Sequence, residues 1–144
     1  MNSALDLKRL LATSEPPELG PGPRKGVLRE SELATIDNEL LRAVLLVWHD
    51  HLDSAHKIVQ DIETPDGSYV HAIIHRREPD YSNSKYWFRR ASEHPCFAEL
   101  SSRLGEQYDP LAFVDRCDRR DAKSEPRLRE IQALELQLLA EHLL

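Results

Sequence analysis

A chain of 144 residues, 40% hydrophobic and 31% charged, has the size and composition of one globular domain with a single modest core. Its net charge of −6 excludes the broad basic surface that sequence-independent nucleic-acid binding requires. Its longest apolar run, Ala43 to Trp48, is far too short to span a bilayer.

The N-terminus interrupts its apolar residues with charges and lacks a signal-peptide core. Cys96 and Cys117 are the only cysteines and show no CxxC spacing, so neither a zinc ribbon nor a disulfide framework is indicated. The expectation is a cytoplasmic protein with reduced thiols, with neither a nucleic-acid nor a membrane partner. A homodimer is one open assembly state.

In chain order, residues 3–12 predict a short amphipathic helix presenting Leu5, Leu7, Leu10 and Leu11. SEPPELGPGPRKG, residues 14–26, holds four prolines and three glycines and is expected to be a linker, draped over the domain or mobile. Residues 1–30 thus form an N-terminal helix and linker, and residues 31–144 the helical domain. A long helix is predicted from Ser31 or Asp37 to about Glu63, because Leu41, Leu45, Trp48, Leu52, Ala55, Val59 and Ile62 sustain one apolar stripe. TPDG, residues 64–67, is expected to break it. A second helix follows from Ser68 to Arg77, and Pro79 ends it. Ser82 or Asn83 caps a third segment, Pro95 starts a fourth that stops at Gly105, Asp109-Pro110 opens a fifth, and Ser124-Glu125-Pro126 opens the last. The fold class is therefore all-α: a single-domain helical bundle with a long central helix and a helical hairpin.

Five of the seven histidines fall between Trp48 and His75. At about 100° per residue, His49, Asp53, His56 and Gln60 form one polar stripe on the shoulder of the first long helix. His71, His75 and Glu78 form a matching stripe on the second. His51 falls on the other shoulder and reads as a histidine satisfied by one hydrogen bond. A short loop between the helices folds them into a hairpin, and if the stripes converge they line its seam.

Imidazole and carboxylate suit zinc, iron, nickel or manganese. His71-x-x-x-His75 is the spacing by which one helix offers two nitrogens to one ion. His49, His56, His71 and His75 are accordingly the candidate ligands of a divalent metal. Asp53 and Glu78 are the candidate catalytic acids, acting as a fourth ligand, a general base or acceptors that fix the imidazole tautomer. A metal-free polar pocket and plain structural hydrogen bonding are the competing readings.

From Arg76 to Arg90, five basic residues face two acids, a local charge of +3 that leaves −9 for the remainder. Such a reversal marks either an anion site or a face that pairs with the acidic remainder. Arg77, on the buried shoulder, is expected to find an internal acid. Lys85 or Arg89, with Arg77 and Tyr81 as further candidates, would contact a small anionic ligand.

WHDHLD, DGSY, HAIIHRREPDYSNSKYWFRR and the HP that follows resemble the signature segment of a family of small uncharacterised proteins. The resemblance covers residues 48–95, a third of the chain, and implies no activity, ligand set or residue role. Three readings stand at this level: a metal-binding, hydrolase-like helical protein; a non-catalytic module that binds a small anion or an acidic partner; and a structural or oligomerisation domain.

Overall fold

The computed structural model describes residues 6–144. Of the predicted N-terminal helix, residues 3–5 lie outside the described residues, and α1 spans Leu7–Leu10. It is followed by α2 (Glu30–Leu33), α3 (Glu39–Trp48), α4 (Leu52–Val59), α5 (Pro65–Arg77), α6 (Tyr81–Ala91), α7 (Pro95–Leu104), α8 (Pro110–Asp118) and α9 (Pro126–His142), with a single 3-10 turn before the last. The chain is all-α, and no strand forms among the described residues. No helix among them is long and apolar enough to cross a membrane.

The expected long helix is two helices. Leu41, Leu45, Trp48, Leu52, Ala55 and Val59 are all buried, as the stripe requires, while Ile62, beyond the end of α4, is only partly buried. The helix nevertheless ends at Trp48. Asp50 adopts a left-handed φ of 68°, and the His51 and Asp50 amides bond back to the Leu46 and Val47 carbonyls. That pairing is a Schellman termination, in which glycine is the usual left-handed residue.

An aspartate stands there because its carboxylate has tertiary work. Asp50 Oδ1 accepts from Arg77 Nη2 at 2.8 Å, and Oδ2 accepts from the Arg24 backbone N–H at 2.7 Å and from Arg24 Nε at 3.0 Å. The Pro/Gly-rich segment is thereby tied to the body. Arg77 also donates to Gly20 O at 3.1 Å, Arg129 donates to Pro16 O at 2.6 Å, and Gln132 donates to Glu18 O at 2.9 Å. Of the two readings of the 14–26 linker, these contacts fit the draped one.

TPDG does not break a helix but opens one. Thr64 caps α5 by accepting the Gly67 N–H at 3.1 Å, and Pro65 takes the first helical position, where its missing N–H costs nothing. The four residues start the helix rather than separate two. A Cβ on Gly67 would collide with the Ile62 carbonyl oxygen and lie 2.7 Å from Ile62 Cγ2. Alanine in a helix ordinarily gains about 1 kcal/mol over glycine. Here Gly67→Ala is expected to lose about 1–3 kcal/mol, the usual cost of overpacking. A urea titration in which the variant is as stable as the parent would contradict this close approach.

Helix α5 is the centre of the fold. It packs on α3, α4 and α6, while α6 meets α8 and α9 meets α3 and α7. Val70, Ala72, Ile73 and Ile74 join Val44, Leu45 and Trp48 in the main core. Leu100, Phe113, Leu128, Ile131 and Leu138 form a second core under α7, α8 and α9. Two buried arginines anchor the last turn of α5: Arg77 through Asp50, and Arg76 through Glu135 Oε1 at 2.7 Å. That turn carries His75.

Candidate metal centre

α4 and α5 fold back on each other, and their histidines meet across the seam. His56 comes from the last turns of α4; His71 and His75 stand one turn apart on α5. One ligand atom from each lies within 4.8 Å of the others. His56 Nε2 and His71 Nε2 are 3.1 Å apart, close to the roughly 3.3 Å that separates two ligands on a tetrahedral ion with bonds of about 2.0–2.1 Å. The ring centroids of His56 and His75 are 5.5 Å apart. The approach of His56 and His75 expected from matched depth is present.

The rings are held by stacking more than by hydrogen bonds. His71 lies between Trp87, at 3.9 Å and 12°, and His75, at 4.9 Å and 19°. His56 stands edge-on to His71 at 85°. His71 Nδ1 and His75 Nδ1 are buried and have no hydrogen-bond partner. Near His75 Nδ1 stand Glu78 Oε1 at 3.4 Å and Asp80 Oδ2 at 3.5 Å.

Burial, reinforced by the neighbouring His75 and His56, lowers the His71 pKa to about 4. Burial also lowers His75, against the opposing pull of Glu78 and Asp80. Both imidazoles are therefore neutral at neutral pH, the state in which a ring nitrogen has a lone pair for a metal. The carboxylates beside His75 Nδ1 resemble the outer acceptors that orient metal-bound histidines.

The other predicted site residues are placed differently. His49 does not join the cluster. Its Nδ1 accepts the Leu28 N–H at 3.0 Å, so its proton sits on Nε2, which donates to Leu10 O at 2.6 Å. Both nitrogens are spent on the N-terminal segment, because the chain turns at Asp50 and His49 and His56 no longer share one helical stripe. His51 donates from Nε2 to Leu28 O at 2.7 Å, the single satisfying bond expected of it. Asp53 is exposed and shares with Glu78 the rim of an open cleft of about 320 Å³ that also includes Asp50 and His51. It is not part of the three-histidine group, and of the two predicted acids only Glu78 pairs with a histidine.

The basic block is mostly paired. Arg77 is the internal, acid-bound arginine, Lys85 meets Asp115 at 2.6 Å, and Arg90 meets Glu63 at 2.9 Å. Tyr81 donates to the Cys117 carbonyl at 3.4 Å. Arg89 is exposed. Arg76, placed away from the histidine stripe by helical geometry, proves to be 1% exposed. Its guanidinium lies 4.7 Å over the Phe113 ring.

A second group was not anticipated: Asp66, His94 and His142, with ligand atoms likewise within 4.8 Å. One signal was available. Pro95 opening a helix puts His94 at the N-cap, where a side chain turns back onto the first turn.

Fold and site together define a small helical protein with three imidazoles gathered in a hairpin seam. Among known proteins, no family model, curated protein or solved structure matches the chain.

Proposed function

We propose that this is a metal-binding protein whose His56, His71 and His75 hold one divalent transition-metal ion. The observation that carries the reading is the convergence of three imidazoles from two helices, with His71 kept neutral by burial. Three imidazoles with no thiolate suit zinc, nickel, copper(II) or iron(II) better than calcium or magnesium, which take oxygen ligands. A three-histidine set also leaves a coordination position open, as catalytic zinc sites do. An ion held there would lower the pKa of a bound water and supply a hydrolase-like nucleophile. Glu78 and Asp80 then act on His75, favouring the proton on Nδ1 and freeing Nε2. The anion-binding reading loses support at Arg77 and Lys85, which already have carboxylate partners, and rests on the exposed Arg89.

Elemental analysis of the protein purified without a histidine tag tests the proposal. About one equivalent of transition metal, lost with a chelator and restored by zinc, is the expected result. A protein that takes up no metal from micromolar zinc overturns it. In the same assay the double variant Glu78→Gln, Asp80→Asn is expected to bind zinc about 10–100-fold more weakly, the usual penalty for losing outer acceptors. Unchanged affinity would make these two acids bystanders.

A further inference from the structure

We infer that Asp66, His94 and His142 form a proton-operated clasp that joins the start of α5, the start of α7 and the end of α9, and that opens in acid. The three could be taken for a second metal site, but the proton positions argue otherwise. His94 Nδ1 accepts the Cys96 N–H at 3.1 Å. A neutral imidazole has one lone pair and one N–H, so the His94 proton sits on Nε2. That nitrogen lies 2.6 Å from Asp66 Oδ1, a short hydrogen bond to a charged acceptor. It is well short of the roughly 3.3 Å between two ligands on one ion. His142 Nε2 approaches the same oxygen at 3.0 Å. Asp66 Oδ1 is thus an acceptor shared by two imidazole N–H groups. His56, His71 and His75 differ in that no backbone amide occupies a ring nitrogen.

The surroundings come from three helices. Tyr69 of α5 stands edge-on to His94 with centroids 4.9 Å apart, and its hydroxyl donates to Glu135 of α9 at 2.9 Å. Cys96 and Glu99 of α7, with Glu141 and His142 of α9, border a cleft of about 310 Å³. The nearby charged groups are therefore carboxylates and the histidines themselves.

Acid acts at one atom. A second proton on His94 must go to Nδ1, where the Cys96 N–H already points. Two donors would then face each other, and the α7 cap is lost. His142 differs, since its charged form still donates to Asp66. Burial lowers the His94 pKa, against the pull of Asp66. With the folded value depressed, the unfolded chain takes up the proton first. The clasp's contribution is complete above about pH 6.5, the free imidazole value, and is lost as pH falls from there through the folded value. Opening would uncover more of Cys96, which borders the cleft and is now 4% exposed.

Ring-nitrogen NMR and amide exchange on the full chain test this. At neutral pH His94 should show the Nε2–H tautomer, and added zinc should shift the rings of His56, His71 and His75 but not those of His94 and His142. Between about pH 7.5 and pH 5, a window that brackets imidazole titration, the Cys96 amide should lose at least about tenfold of its protection. In His94→Asn, which keeps a capping oxygen and does not titrate, that protection should stay level. An Nδ1–H tautomer in the wild type, zinc shifts at His94 and His142, or an equal loss of protection in both proteins would each overturn the clasp.

Discussion

Glu135→Leu is expected to destabilise the fold by about 3–5 kcal/mol, the usual cost of removing one partner from a buried ion pair. Glu135 is 0% exposed and Arg76 1%. Glu135 Oε1 accepts from Arg76 Nη2 at 2.7 Å, and Oε2 accepts from the hydroxyls of Tyr69 and Tyr108. Burial pulls the Arg76 pKa down, but the charge and hydrogen bond of Glu135, together with Cys117 and Tyr108, raise it, and the net shift is upward. Burial and then the charge of Glu135 push both phenols well above their ordinary value, so they remain donors. Leucine would strand a buried charge and leave two buried hydroxyls without their acceptor.

Glu99→Leu provides the contrast. Its pairing with Arg103 spans 3.6 Å between half-exposed side chains, and its loss should cost about 0–1 kcal/mol. Adding Arg76→Met to Glu135→Leu should recover part of the loss, because the stranded charge goes with it. Chemical denaturation of the four proteins checks the series. Equal, small losses for Glu135→Leu and Glu99→Leu would contradict a buried ionised pair.

His71→Ala is expected to weaken zinc binding by at least about 100-fold, since loss of an outer acceptor alone costs 10–100-fold. His71 is the central ring: its Nε2 meets His56 Nε2 at 3.1 Å and its face stacks on His75. His49→Gln is the matched control. That ring has both nitrogens bonded to the backbone of the N-terminal segment, so its replacement should leave zinc affinity unchanged even where stability falls. Calorimetric titration of both variants separates the cases. Comparable losses in the two would mean that the metal is not held in the α4–α5 seam.

The seam could be read from the sequence because it is local. His56, His71 and His75 lie on consecutive helices joined by a short loop, so helical angle and depth suffice to bring them together. The same arithmetic misplaced His49, because the turn at Asp50 has no local signal. A left-handed aspartate is stabilised there by Arg24 and Arg77, partners 26 and 27 residues away. Pro65 and Gly67 read as a break because both residues punctuate helices, although proline at a first helical position starts one.

The long-range groups had no periodic signature. Glu135 lies on the buried side of α9 and pairs with Arg76 across 59 residues. His142 reaches Asp66 across 76. The basic block gave the right ingredients and left its use open: a charge count cannot distinguish arginines that wait for an anion from arginines that already hold Asp50 and Glu135.

Zinc-edge X-ray absorption of the zinc-loaded, tag-free protein reads the ligands of the bound ion. A site in the α4–α5 seam gives a first shell of nitrogen and oxygen at about 2.0–2.1 Å with outer-shell scattering from three imidazoles, reduced to two in His71→Ala. A first shell without imidazole scattering, or a spectrum that His71→Ala leaves unchanged, would contradict it.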